Sequence, residues 1–178
     1  MGGPSLPNPR MELRPRARTA RPAKRHCTAY LASPLGFSES GRFYLENQLG
    51  PLLTKSGYTI LEPWAHLLGR DSKAVTDQSR RLSKGPAMRI GMENARLIDK
   101  ADVLIAVLDG PDVDSGVAAE VGFAYARGKR ILGYRSDFRP SGDSRRLTVN
   151  LQVEAFIKMS GGKIYSDWGE LIAGVRGR

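Results

Sequence analysis

Residues 103–108 read Val-Leu-Ile-Ala-Val-Leu, an unbroken apolar run with no residue suited to a solvated face. Such a run predicts a strand buried on both sides, as in a parallel sheet covered by helices. Asp109-Gly110-Pro111 follows as a turn signal, then a loop with two more aspartates, Asp112 and Asp114. Ser115-Gly116 leads into a helical pattern over about residues 117–127, ended by Gly128. On it Val117, Val121 and Ala124 recur at i, i+4 and i+7, a stripe that can pack on the sheet. A two-face-buried strand, a polar loop and an amphipathic helix form one unit of an α/β domain.

The flanking sequence repeats the unit. Strands are expected over residues 28–32, 58–61, 130–134 and 163–165. Helices are expected over residues 40–55, with a kink allowed at Pro51 and a stop at Gly57, and over 88–100 and 167–176. Another helix begins at Asn150 and stops at Gly161-Gly162. The predicted fold is a single doubly wound, Rossmann-like or flavodoxin-like α/β domain over residues 28–178. Its parallel sheet has about five strands, flanked by helices. Residues 66–87 are polar and basic with no clean period, and are expected to form a flap or short helices over the site.

The chain's formal charge of +10 invites a nucleic-acid reading, but its placement argues otherwise. Residues 1–26 carry seven arginines and lysines against Glu12 alone, so most of the excess lies in a Pro/Arg-rich segment. Residues 1–27 are expected to be a basic, disordered tail, and nucleic acid is not the expected partner. No apolar run approaches the ~18 residues that a membrane helix needs. The single cysteine, Cys27, excludes an internal disulfide and fits a reducing, cytoplasmic setting. Gly-x-Gly-x-x-Gly, Walker and Gly-x-Ser-x-Gly patterns are absent, so dinucleotide, triphosphatase and serine-hydrolase chemistry lose support.

Ligands of open α/β sheets bind at the carboxyl ends of the strands, where Asp109, Asp112 and Asp114 cluster. Glu120 is placed in the first turn of the predicted helix, where the helix dipole would keep it ionised. A charged carboxylate six residues from another suits attack on a sugar carbon through a covalent glycosyl-enzyme. It equally suits a residue that merely complements the dipole while Asp114 or Ser115 caps the helix. Asn94 shares a helix face with Ile90, Leu97, Ile98 and Ala101, so its amide must find partners in a buried setting. Tyr30 is either a core strand residue or a site residue. Phe37 and Trp64 follow strands at the same rim, where each can line a ligand or plug the core.

Asp114, five intervening residues, Glu120, then Gly122-Phe123-Ala124 and Gly128-Lys129 resemble the signature of the nucleoside 2-deoxyribosyltransferase family. Tyr30-Leu-Ala-Ser-Pro-Leu-Gly-Phe37 resembles that family's first strand and loop. Asn94 with Asp102, and Val149-Asn-Leu-Gln-Val-Glu154, match further blocks in the family's order. The resemblance covers residues 28–165. It implies a pentosyltransferase acting on the N-glycosidic bond of 2′-deoxynucleosides in nucleotide salvage, with side hydrolysis possible. Under it Glu120 is the nucleophile and Tyr30 orients it. Asp114 and Asn150 bind the sugar 5′-hydroxyl, and Asn94, Phe37 and Trp64 bind the base. The implied partners are a deoxynucleoside and a free nucleobase, with no metal and no cofactor. Asn150 would complete a neighbouring subunit's site, which implies a homo-oligomer, at least a dimer. The rivals are an N-glycosidase of nucleoside 5′-monophosphates, which the arginines of residues 139–146 keep in view, and a non-catalytic nucleotide-sensing domain.

Overall fold

The computed structural model describes residues 27–62 and 84–176. The strands are β1 (Cys27–Ala32), β2 (Tyr58–Leu61), β3 (Val103–Val107), β4 (Arg130–Tyr134) and β5 (Ile164–Tyr165). All pair in parallel in the order β2-β1-β3-β4-β5. That order is the flavodoxin-like one, and its switch point lies between β1 and β3. All five residues of β3 are buried, as its apolar run requires.

The sheet has a core on each face. Leu31, Ile105 and Val107 face α1 (Glu39–Tyr44), the turn after it, α2 (Gly50–Lys55) and α6 (Trp168–Arg176), where Leu49 of that turn, Leu53 and Leu171 pack. Tyr30, Leu104, Ala106 and Ile131 face α3 (Lys84–Lys100), α4 (Ser115–Ala126) and α5 (Leu151–Met159), which contribute Ile98, Val121 and Ile157. Alternating strand residues thus serve opposite layers. The amino end of the β1–β3 pair is pinned by Asp102, whose carboxylate accepts from the Thr28 amide at 2.8 Å and hydroxyl at 2.7 Å. Asp102 therefore sits at the sheet edge remote from the strands' carboxyl ends.

Besides one-residue shifts at element ends, the helices depart from expectation as follows. The helix expected over residues 40–55 is divided by a π turn, Leu45–Leu49, in which the Gly50 amide reaches back to the Leu45 carbonyl. Pro51 has no amide to continue an ordinary α register, and the wide turn absorbs that loss. The helix expected from residue 88 already runs at Lys84, the first described residue of this segment. The central helix starts at Ser115, two residues early, because Asp114 caps it. The basic tail (apart from Cys27), Trp64 and nearly all of the flap segment lie outside the described residues. Among the described residues no helix is long and apolar enough to cross a membrane.

Leu104 is fully buried in the centre of the sheet, against the α3–α5 layer. Leu104→Ala should lower unfolding free energy by about 2–5 kcal/mol in urea denaturation at unchanged fold.

Candidate active site

The loops after β1 and β3 are neighbours because these strands pair directly, with Tyr30 in register with Leu104. Tyr30 is fully buried, and its hydroxyl donates to Glu120 Oε1 at 2.6 Å. Asn94, on α3, donates from Nδ2 to the same oxygen at 3.3 Å. Among the described residues both hydrogen bonds on Glu120 therefore fall on Oε1, and Oε2 is left without a protein donor. Asn94 Oδ1 is buried and without a hydrogen-bond partner among the described residues. An uncompensated buried acceptor is costly, about 1–3 kcal/mol, and such atoms concentrate at functional sites.

A cavity of about 290 Å³ opens between α3 and α4 beside these groups, lined by Gly91, Asn94, Ile98, Ala119, Glu120 and Phe123. At ~30 Å³ per water it is the size of a small organic molecule rather than of one ion. Phe123 lies one helical turn beyond Glu120, which is why both face the cavity. Among the described residues no cluster of three or more His, Cys, Asp or Glu side chains could hold a metal ion.

Asp114 does what a cap does: its Oδ1 accepts from the amides of Gly116 at 2.9 Å and Val117 at 3.1 Å. Glu120 is consequently the sixth residue of α4, and no acid lies in the helix's first turn. This corrects the expectation that the dipole holds Glu120 ionised. Its pKa is pushed up to about 7, first by burial, while the Tyr30 hydrogen bond pulls it down, the Asp114 charge raises it and Asn94 lowers it. Tyr30 in turn is held well above the ordinary phenol range by burial and by the Glu120 charge. It serves as a neutral donor.

The remaining expected site residues are placed less closely. Phe37 ends a 3-10 turn, Pro34–Phe37, directly after β1 and is 67% exposed. Asn150 caps α5, its Oδ1 accepting from Gln152 at 3.0 Å and Val153 at 3.4 Å. Its carbonyl oxygen is thus occupied by its own helix, and among the described residues it makes no bond to Glu120. Trp64 cannot be placed. Two charged residues are buried that spacing alone does not bury, Arg135 and Glu154. Glu154 accepts from the Thr148 amide at 2.7 Å and pairs with Lys158, which fixes the approach to Asn150. Its position four residues after the cap resembles a capping box displaced by one, which is the signal that could have revealed it.

Residues 29–156 match the family described as nucleoside 2-deoxyribosyltransferase. No curated protein matches the sequence significantly. Among solved structures, a 2-deoxyribosyltransferase of the psychrotolerant bacterium Bacillus psychrosaccharolyticus is similar at 20% identity and TM-score 0.62, over 82% of this chain and 90% of its own. The 2-desoxiribosyltransferase of Leishmania mexicana is similar at 23% identity and TM-score 0.60, over 83% and 95%. A CMP N-glycosidase of Clostridium botulinum is similar at 17% identity and TM-score 0.50, over 84% and 98%. At these identities the likeness speaks for the fold.

The raised Glu120 pKa has a consequence for stability. Because the folded carboxyl holds its proton more tightly than the unfolded one, its contribution is fullest below the ordinary 4.5 and is lost as pH rises through about 7. Glu120→Gln should accordingly raise stability at pH 8 by about 1–3 kcal/mol, and by far less at pH 5, in denaturant titrations at the two pH values.

Proposed function

The chain belongs to the nucleoside 2-deoxyribosyltransferase family, and on that premise we propose that it exchanges the base of a 2′-deoxynucleoside through a deoxyribosyl ester on Glu120. Membership supports an enzyme of the glycosyltransferase or N-glycosidase type. The observation that carries the finer proposal is the geometry of one carboxylate. Tyr30 and Asn94 both bond Oε1 of Glu120, while Oε2 has no protein donor among the described residues and the group lines a cavity.

In the first displacement Oε2 bonds to C1′ as the C1′–N bond breaks, its electron pair leaving with the base. In the second, a ring nitrogen of the acceptor base bonds to C1′, Oε2 is released as carboxylate, and the proton lost by the acceptor base passes through solvent to balance the one taken up by the departed base. Both transition states have oxocarbenium character, which a carboxylate beside C1′ stabilises electrostatically. Tyr30 and Asn94 hold the group in one rotamer and lose little when Oε1 becomes the ester carbonyl. A sugar without a 2′-hydroxyl lacks an electron-withdrawing neighbour and reaches this state more easily.

The sugar's 5′-hydroxyl is assigned to Asp114, whose Oδ2 is the oxygen not used by the helix cap. Asn150 of a neighbouring subunit would add a donor there through Nδ2, which makes the working enzyme a homo-oligomer. Asn94 is assigned to the base edge, and Phe37 to the wall of the ring. A 5′-phosphate would meet the Asp114 carboxylate, and Arg139 is already paired with Asp137. Both features disfavour a monophosphate glycosidase.

Two assays test this. Deoxynucleoside plus a different free base should yield the exchanged nucleoside, at least ~10-fold faster than any release of base from a deoxynucleoside 5′-monophosphate in water. The reverse order of rates would establish the glycosidase. Glu120→Ala should lower turnover by at least ~10³-fold at retained fold; unchanged function would favour a sensing domain.

The pH profile supplies a further check. Attack needs the carboxylate, so kcat/KM should rise along an acid limb near pH 7. Tyr30→Phe removes a bond that favours the charged form and should move that limb upward. Asp114→Asn removes a neighbouring negative charge and should move it downward.

A further inference from the structure

Two charged residues that the mechanism above does not use face each other across the carboxyl edge of β3 and β4. Arg135 directly follows β4 and is only 4% exposed. Among the described residues no carboxylate is hydrogen-bonded to its guanidinium. It donates instead through Nη1 to the Leu108 carbonyl, and through Nη2 to the carbonyls of Gly110 at 3.0 Å and Arg139 at 2.9 Å. Asp109, two residues past β3, reciprocates. Its Oδ1 accepts from the amides of Ser136 at 2.6 Å and Asp137 at 2.8 Å, and its Oδ2 from the Ser136 hydroxyl at 3.1 Å. Each loop thus supplies one charge that binds the other loop's backbone.

A buried arginine is expensive unless its donors are met, so a guanidinium whose hydrogen bonds among the described residues all go to carbonyls, with Asp137 feeling its charge, needs a reason. The reason lies in what the two loops carry. Four residues beyond Gly110 the first loop delivers Asp114, whose carboxylate caps α4 and acts electrostatically on Glu120. Gly110 takes φ +131, a conformation closed to residues with a side chain, so the loop turns sharply at the very carbonyl that Arg135 grips. The planar guanidinium fork can hold three carbonyls in fixed directions; an ammonium group cannot.

We infer that Arg135 and Asp109 are positioning residues: they clamp the β3–α4 loop to the β4–α5 loop and so fix the Asp114 carboxylate at the 5′ end of the sugar site. This rests on the proposed role of Asp114 for its kinetic consequence, but not for its structural one. The clamp acts on the hydroxyl-binding end of the substrate rather than on the nucleophile, which is held separately by Tyr30 and Asn94.

Two measurements on the full chain test it, with Arg135→Lys and Asp109→Asn as independent variants so that a fold defect in one leaves the other. In hydrogen exchange, residues 110–117 should exchange about 10-fold faster in either variant, with β1 and β3 unchanged. In kinetics, the preference in kcat/KM for a 2′-deoxynucleoside over its 5′-deoxy analogue should fall about 10-fold, while kcat/KM for the analogue stays within about 3-fold. Unchanged exchange over residues 110–117, or an equal loss on both substrates, overturns the clamp. If the unaltered enzyme turns over neither substrate, the proposed function fails, and the exchange measurement still decides the clamp.

Discussion

The 2.6 Å hydrogen bond from Tyr30 to Glu120 joins the first strand to the fourth helix, two elements 90 residues apart in sequence. It exists because β1 lies beside β3, which brings the β1 residues on one face of the sheet under the helix that follows β3. Tyr30 is wholly buried, so its hydroxyl must find an acceptor, and Glu120 is partly buried, so its charge must find donors. Each satisfies the other. Remove the strand order, and the donor and the carboxylate no longer share a site.

Two effects compete for the protonation state of Glu120, and their sizes decide which wins. A helix terminus offers an anion about 0.3–1 kcal/mol, and only within the first turn. Glu120 lies beyond that turn, and its rise from 4.5 to about 7 corresponds to about 3 kcal/mol at ~1.4 kcal/mol per unit. Burial therefore dominates, and the donors of Tyr30 and Asn94 bring the group back to where it can ionise near neutrality. A carboxylate so placed is poorly solvated and a better nucleophile for it. The fold accepts lower stability at neutral pH to hold it there.

Much of this was readable beforehand, for definite reasons. The apolar run of β3 has only one comfortable home, a strand covered on both faces, and the loops at its carboxyl end carry the candidate site. The stripe of Val117, Val121 and Ala124 and the polar Asn94 on an apolar helix face are periodicity signals, and all lie where their spacing put them. The true start of α4 was missed because a pattern of apolar residues does not register the cap that precedes it, although Asp114 was visible. The π turn leaves no such signal, because apolar periodicity registers a proline kink but not the wider register that avoids one. The burial of Arg135 follows from no pattern in the sequence. Its partners are backbone carbonyls, two of them 25 or more residues away, which leave no trace in side-chain spacing.

Intact-mass analysis of the protein, quenched in acid after brief incubation with a panel of 2′-deoxynucleosides, tests the central claim most directly. A gain of one deoxyribosyl group, mapped to Glu120 and discharged on addition of a free base, is the predicted result. An unmodified chain under conditions where base exchange is demonstrably turning over would contradict the covalent route and with it the role given to Glu120.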